Sequence, residues 1–151
     1  MSICTFIASD APLSEFAPSA EYTVMIDIDR GIVDDGGASD NYVLRRFDSV
    51  SDYTDMSYAV CLEWKYTEDR ACRIVEYIKT ALRDTDCVEL WHVWLMDYYE
   101  FEDRPYIHRK HIPIGQLTAE HIREIDNAAI WNTPDKMYPQ RPSFYCLTIT
   151  R

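Results

Sequence analysis

The apolar positions of this chain change period along its length, and the changes mark its elements. Ala71, Ile74, Val75, Ile78 and Leu82 recur at steps of three and four, forming one stripe of a helix. Arg73, Glu76, Tyr77, Lys79 and Thr80 fill the opposite face. Thr67 stands where an N-cap belongs, Glu68 and Asp69 follow at the positive end of the helix dipole, and Lys79 and Arg83 lie toward the negative end. The spacing predicts a helix that packs one face on a sheet. The next segment, 87–98, is different. Val88, Leu90, Trp94 and Met96 alternate with Trp91, Val93 and Leu95, so both faces are apolar, the pattern of a central strand covered on both sides.

The remaining elements are read in the same way. Residues 3–8 and 23–29 are β-prone, and Asp29-Arg30-Gly31 turns the second run back through Ile32 and Val33 as a hairpin. Residues 34–55 are loop-rich, with a short apolar stretch at Tyr42-Val43-Leu44, and 58–64 reads as a strand. A polar bend leads to a strand over 106–114. A second helix begins at the N-cap Thr118, with Leu117 and Ile122 placed as a hydrophobic staple, and ends near Trp131. A loop with Pro134, Pro139 and Pro142 precedes a last strand over 144–150.

These elements predict one α+β domain over 1–151: a mostly antiparallel sheet of about six strands with two helices on one face. Its β-α-β-β-α-β core follows an N-terminal β-hairpin region. That core order is the ferredoxin-like one, in which the second strand lies at the sheet edge. Here the second strand, 87–98, is the most apolar, and the third carries His108-Arg109-Lys110-His111. The expectation is therefore that N-terminal strands extend the sheet beyond 87–98.

Composition narrows the functions. Four glycines, Gly31, Gly36, Gly37 and Gly115, leave no GxG, and Gly31 to Gly36 is followed by Gly37 and Ala38 instead of Lys and Ser/Thr. The two commonest phosphate-cradling loops are excluded. Lys and Arg total 15 against 26 Asp and Glu, a net charge of −11. Such a surface repels phosphate backbones and anionic lipids, so neither nucleic acid nor membrane is the expected partner; a basic protein is. The five cysteines are scattered without a CxxC, and Cys4, Cys61 and Cys146 lie in apolar runs, as reduced core thiols of a cytoplasmic protein would. Residues 3–8 are too short for a signal-peptide core.

No motif declares a chemistry, a cofactor or a metal. Asp27-Ile28-Asp29-Arg30-Gly31 opens like a calcium loop, yet its fifth, sixth and twelfth places hold Gly31, Ile32 and Ala38. Asp27, Asp29, Asp34, Asp35 and Asp40 remain as the carboxylates of a looser site. Glu63-Trp64-Lys65, with Asp52 and Asp55 upstream, matches the D…ExK pattern of metal-dependent nucleases, which gives a small hydrolase or nuclease using Glu63, Lys65 and Asp55 as the enzyme alternative. His108 and His111 are three apart on a strand and point to opposite faces. His121 falls in a helix's first turn, facing solvent. His92 lies within the apolar strand, with Glu63 as the carboxylate that strand adjacency would offer it.

The densest anomaly is the bend after that strand. Asp97, Tyr98, Tyr99, Glu100, Phe101, Glu102 and Asp103 set aromatics beside carboxylates, which suits an Arg/Lys-rich partner. The leading expectation is a protein-binding module rather than an enzyme: an acidic immunity-type inhibitor or regulator of a basic protein. A third reading is a homodimer formed through the sheet face opposite the helices.

Overall fold

The computed structural model describes residues 2–95, 105–128 and 143–151. One six-stranded sheet is built from β1 (Ser2–Ser9), β4 (Tyr42–Arg46), β5 (Tyr58–Trp64), β6 (Cys87–Leu95), β7 (Ile107–Pro113) and β8 (Phe144–Thr150). A separate two-stranded ribbon pairs β2 (Met25–Asp27) with β3 (Ile32–Asp34). The helices are α1 (Glu68–Ala81) and α2 (Ala119–Asn127), with 3-10 turns at Val50–Asp52 and Ile114–Gln116.

Strand order in the large sheet is β4-β5-β1-β6-β8-β7, antiparallel except for the β7–β8 pair. This is the expected α+β class, but not the ferredoxin-like order. The N-terminal strand does lie beside β6, as anticipated, yet it is inserted between β5 and β6 instead of extending an edge. β7, interior in the ferredoxin-like order, is here an edge strand. The physical reason is burial. Both faces of β1 are covered from Cys4 through Ser9, so β1 and β6 take the centre. The cationic His108-Arg109-Lys110-His111 run goes to the edge, where charge discourages further pairing.

α1 forms as its stripe requires. The Thr67 hydroxyl accepts the Arg70 N–H at 3.2 Å, and Ala71, Ile74, Val75 and Ile78 are buried, as is Leu82 just beyond the helix. α2 is capped by Thr118, whose N–H donates to His121 Nδ1 at 3.2 Å; His121 is thus a capping group and only partly exposed. Both helices pack with Ile7, Leu62, Leu90 and Leu147 in one core on one face of the sheet.

The opposite face is not bare. Residues 47–56 fold over it, and Val50 and Tyr53 are buried against Phe6, Trp91, Val93 and Phe144. Phe6 stacks between Phe47 (4.8 Å) and Trp91 (5.9 Å), and Tyr53 tilts on Phe144 at 5.8 Å. The face expected to be a dimer contact therefore carries a second small core closed by the chain's own segment.

Candidate protein-binding surface

The bend singled out by its aromatics and acids, Asp97 to Asp103, lies outside the described residues. The nuclease-like trio is described, and the fold spreads it out. Glu63 pairs with Arg45 at 3.3 Å on the surface, and Lys65 Nζ donates to the Val33 carbonyl at 2.6 Å. Asp55 sits before β5 and Glu63 near its far end, and at about 3.3 Å per residue the strand from Tyr58 to Glu63 alone spans about 16 Å. His92 does not meet Glu63 either, because β1 separates their strands; His92 Nδ1 lies 3.4 Å from Thr5 Oγ1 instead. His108 and His111 do face opposite ways, the first stacked on Tyr145 at 5.1 Å and the second 2.9 Å from the Thr150 hydroxyl.

Three of the five aspartates of the 27–40 loop accept hydrogen bonds from their own loop's backbone. Asp27 accepts the Arg30 N–H at 3.1 Å, Asp34 that of Gly36 at 2.8 Å, and Asp35 that of Gly37 at 3.0 Å. Asp40 accepts the Tyr22 hydroxyl. Side chains committed to turns in this way are turn formers. Among the described residues no group of His, Cys, Asp or Glu is arranged to hold a metal ion.

These turns present an unusual ribbon. β2 and β3 pair Met25 with Asp34, Ile26 with Val33 and Asp27 with Ile32, joined by a turn in which Gly31 takes φ +63°. Since side chains alternate, Ile26 and Val33 share one face, while Met25, Ile32, Asp27 and Asp34 share the other. One face is apolar and the second mixes apolar with acidic groups. None of it is buried: Met25 is 66% exposed, Ile26 68% and Ile28, in the turn, 87%. Val24, Ile32 and Val33 are each about half exposed. Monomeric proteins seldom expose contiguous apolar patches beyond a few hundred Å², and a larger one marks a contact site. An open concavity of about 820 Å³ runs along the ribbon, lined on its apolar side by Met25, Ile26, Ile28 and Ile32 and on its polar side by Asp27, Asp29, Arg30 and Asp34. Residues 25–35 carry four aspartates against one arginine.

The ribbon is held by its base. The Arg70 side chain, fully buried at the start of α1, donates from Nε to the Ala38 carbonyl at 2.8 Å. Its Nη1 donates to the Lys65 carbonyl at 2.9 Å and to Asp35 Oδ2 at 2.7 Å. The guanidinium and the Gly37 N–H together hold the Asp35 carboxyl down to about 2. A buried cation thus clamps the loop that follows β3, and Lys65 adds a bond to Val33.

A second recess opens on the face opposite the helices, about 420 Å³ in volume, between Asp10, Thr54, Asp55, Glu89 and Arg109. Glu89 Oε2 accepts the Trp91 indole N–H at 2.8 Å and the Thr54 hydroxyl at 2.7 Å. Arg109 lies over the Trp91 ring at 5.1 Å and 3.8 Å from Glu89 Oε1. This network ties segment 47–56 to β6, and every polar contact in it has a structural use. No helix among the described residues is long and apolar enough to cross a membrane. No family model matches the sequence, and no curated protein or solved structure matches it either.

Proposed function

We propose that this chain is a binding module for a basic protein and that the β2–β3 ribbon is its contact element. The observation that carries the reading is the ribbon's exposure: six large apolar side chains within ten residues, on an arm that pairs with no other strand among the described residues. An isolated two-stranded hairpin is marginal in water, and its outer edges offer unpaired N–H and C=O groups. A partner strand added to such an edge supplies the missing backbone bonds, while Ile26, Ile28 and Val33 supply apolar contact. Charge complementarity selects the partner. Asp27, Asp29 and Asp34 surround the apolar groups, and the whole chain carries −11. A second copy would bring acid against acid; a basic protein is drawn in and held.

The test is capture from source cells with cross-linking, comparing the wild-type protein with an Ile26→Thr/Ile28→Ser variant. Both side chains are exposed, so the variant keeps its fold. The reading expects a partner of net positive charge, cross-linked to residues 24–35 and lost with the variant. A partner captured equally by both proteins, or cross-linked only through 97–103, would place the contact elsewhere.

A further inference from the structure

Neighbouring strands β1 and β5 bring two thiols together. β1 and β5 are antiparallel with Phe6 opposite Cys61, so Cys4, two residues earlier, is the diagonal neighbour of Cys61 on the same face. Their sulfurs lie 3.2 Å apart although 57 residues separate them in sequence. Cys4 is buried, and Cys61 is partly exposed at the side of the second core. The other described thiols stand apart from this pair. Cys146 is buried with Arg109 Nη1 at 3.6 Å, Cys87 begins β6, and Cys72 is exposed on α1, beyond the other face of the sheet.

We propose that Cys4 and Cys61 are a redox-active dithiol, closed to a reversible intramolecular disulfide by a small hydroperoxide. A disulfide needs its sulfurs at about 2.05 Å, so side-chain rotation must close a gap of about 1 Å. The surroundings divide the roles. The hydrogen bond shared with Cys4, with Arg45 nearby, lowers the Cys61 thiol below its ordinary range. The same hydrogen bond and burial push Cys4 up. The thiolate, which is the nucleophile, therefore forms on Cys61, the less buried residue of the pair.

The chemistry is a two-electron oxidation. The Cys61 thiolate attacks one peroxide oxygen, the O–O bond breaks, and the other oxygen leaves with a proton as alcohol or water. The Cys61 sulfenic acid so formed is then attacked by Cys4 sulfur. The S–O bond breaks as the S–S bond forms, and the hydroxide leaves as water with the proton that Cys4 gives up. In sum, two thiols and one hydroperoxide give one disulfide, one alcohol and one water. Two electrons pass from the sulfurs to the peroxide. The product joins β1 to β5 and closes the stretch of chain that includes the β2–β3 ribbon. The inference stands on the thiol pair alone and does not depend on the proposed partner.

Folded Cys72→Ser protein, which lacks the exposed thiol, is treated with stoichiometric hydrogen peroxide, alkylated under denaturing conditions and digested without reduction. The expected product is a monomer with the Cys4 and Cys61 peptides joined, two hydrogens lighter than their sum and separated again by dithiothreitol. Cys87 and Cys146 remain alkylated. In Cys61→Ser, Cys4 should stay a thiol, because the attacking sulfur is gone. Full alkylation of both thiols in the treated Cys72→Ser protein overturns the proposal. So does Cys61 ending as a sulfinic acid with Cys4 intact, or Cys4 oxidised at an undiminished rate in Cys61→Ser.

Discussion

Asp35→Ala removes the counter-ion of a guanidinium that has no contact with solvent. In the wild type, the Arg70 side chain is 0% exposed, that of Asp35 14%, and the two meet at 2.7 Å. Among the described residues Arg70 Nη2 has no hydrogen-bond partner, so the site has little slack to absorb the loss. Breaking a buried pair from one side costs about 3–5 kcal/mol, because the remaining charge stays desolvated. Asp35 retains some contact with water, which places the expected loss near the lower end, about 3 kcal/mol. That is a large share of the roughly 5–15 kcal/mol available to a domain. Arg70→Met removes the charge and keeps most of the volume; it leaves the Ala38 and Lys65 carbonyls short of a donor, at about 1–3 kcal/mol. The double variant should then be no worse than Arg70→Met alone. Urea denaturation at pH 7 measures all three. The carboxyl of Asp35 is depressed to about 2, so its contribution is present above about pH 4 and disappears as pH falls through 2. The gap between wild type and Asp35→Ala should close over that window. A loss under ~0.5 kcal/mol at pH 7 would mean that the pair is effectively solvated and does not clamp the ribbon's base.

His92 is held down to about 4 by burial, against an ordinary value near 6.5. Below pH 6.5 the unfolded chain takes up a proton that the folded chain refuses, so wild type should lose up to about 3 kcal/mol by pH 4. His92→Leu should lack that component of the slope, and parallel urea profiles for the two proteins would contradict it. Ile78→Asp puts an unpaired carboxylate at a fully buried position of α1 and should abolish cooperative unfolding; a soluble, cooperative variant would mean that the stripe faces no core.

How much of this was legible depended on whether the signal was local. The stripe and Thr67 cap of α1 are local, and so is the two-sided apolar pattern of β6; both appear as read. The place of β1 is not local, since pairing partners 49 to 93 residues away decide it. A signal did exist: residues 4–8 are apolar or small without alternation, the same two-sided pattern as β6, and that marks a central strand. Likewise His108-Arg109-Lys110-His111 is the composition of an edge. Val50 and Tyr53, three apart, foreshadow the 3-10 turn that closes the second face, but a three-residue element is too short to give a period. The ribbon's existence was readable from Asp29-Arg30-Gly31. Its exposure was not, because the same apolar alternation serves a strand inside a sheet and one outside it. The thiol pair required the register between β1 and β5.

The ribbon's role as contact element is tested most directly by hydrogen exchange of the backbone amides, with and without the captured partner. In the free protein, amides of Met25–Asp27 and Ile32–Asp34 should exchange fast, while those at the centre of β1 and β6 exchange near the global rate. Bound to a basic partner that adds a strand, the edge amides of the ribbon should slow by at least about tenfold, the factor that ~1.4 kcal/mol of added local stability produces. Unchanged exchange over 24–35 in the complex, with slowing confined to another surface, would contradict the account.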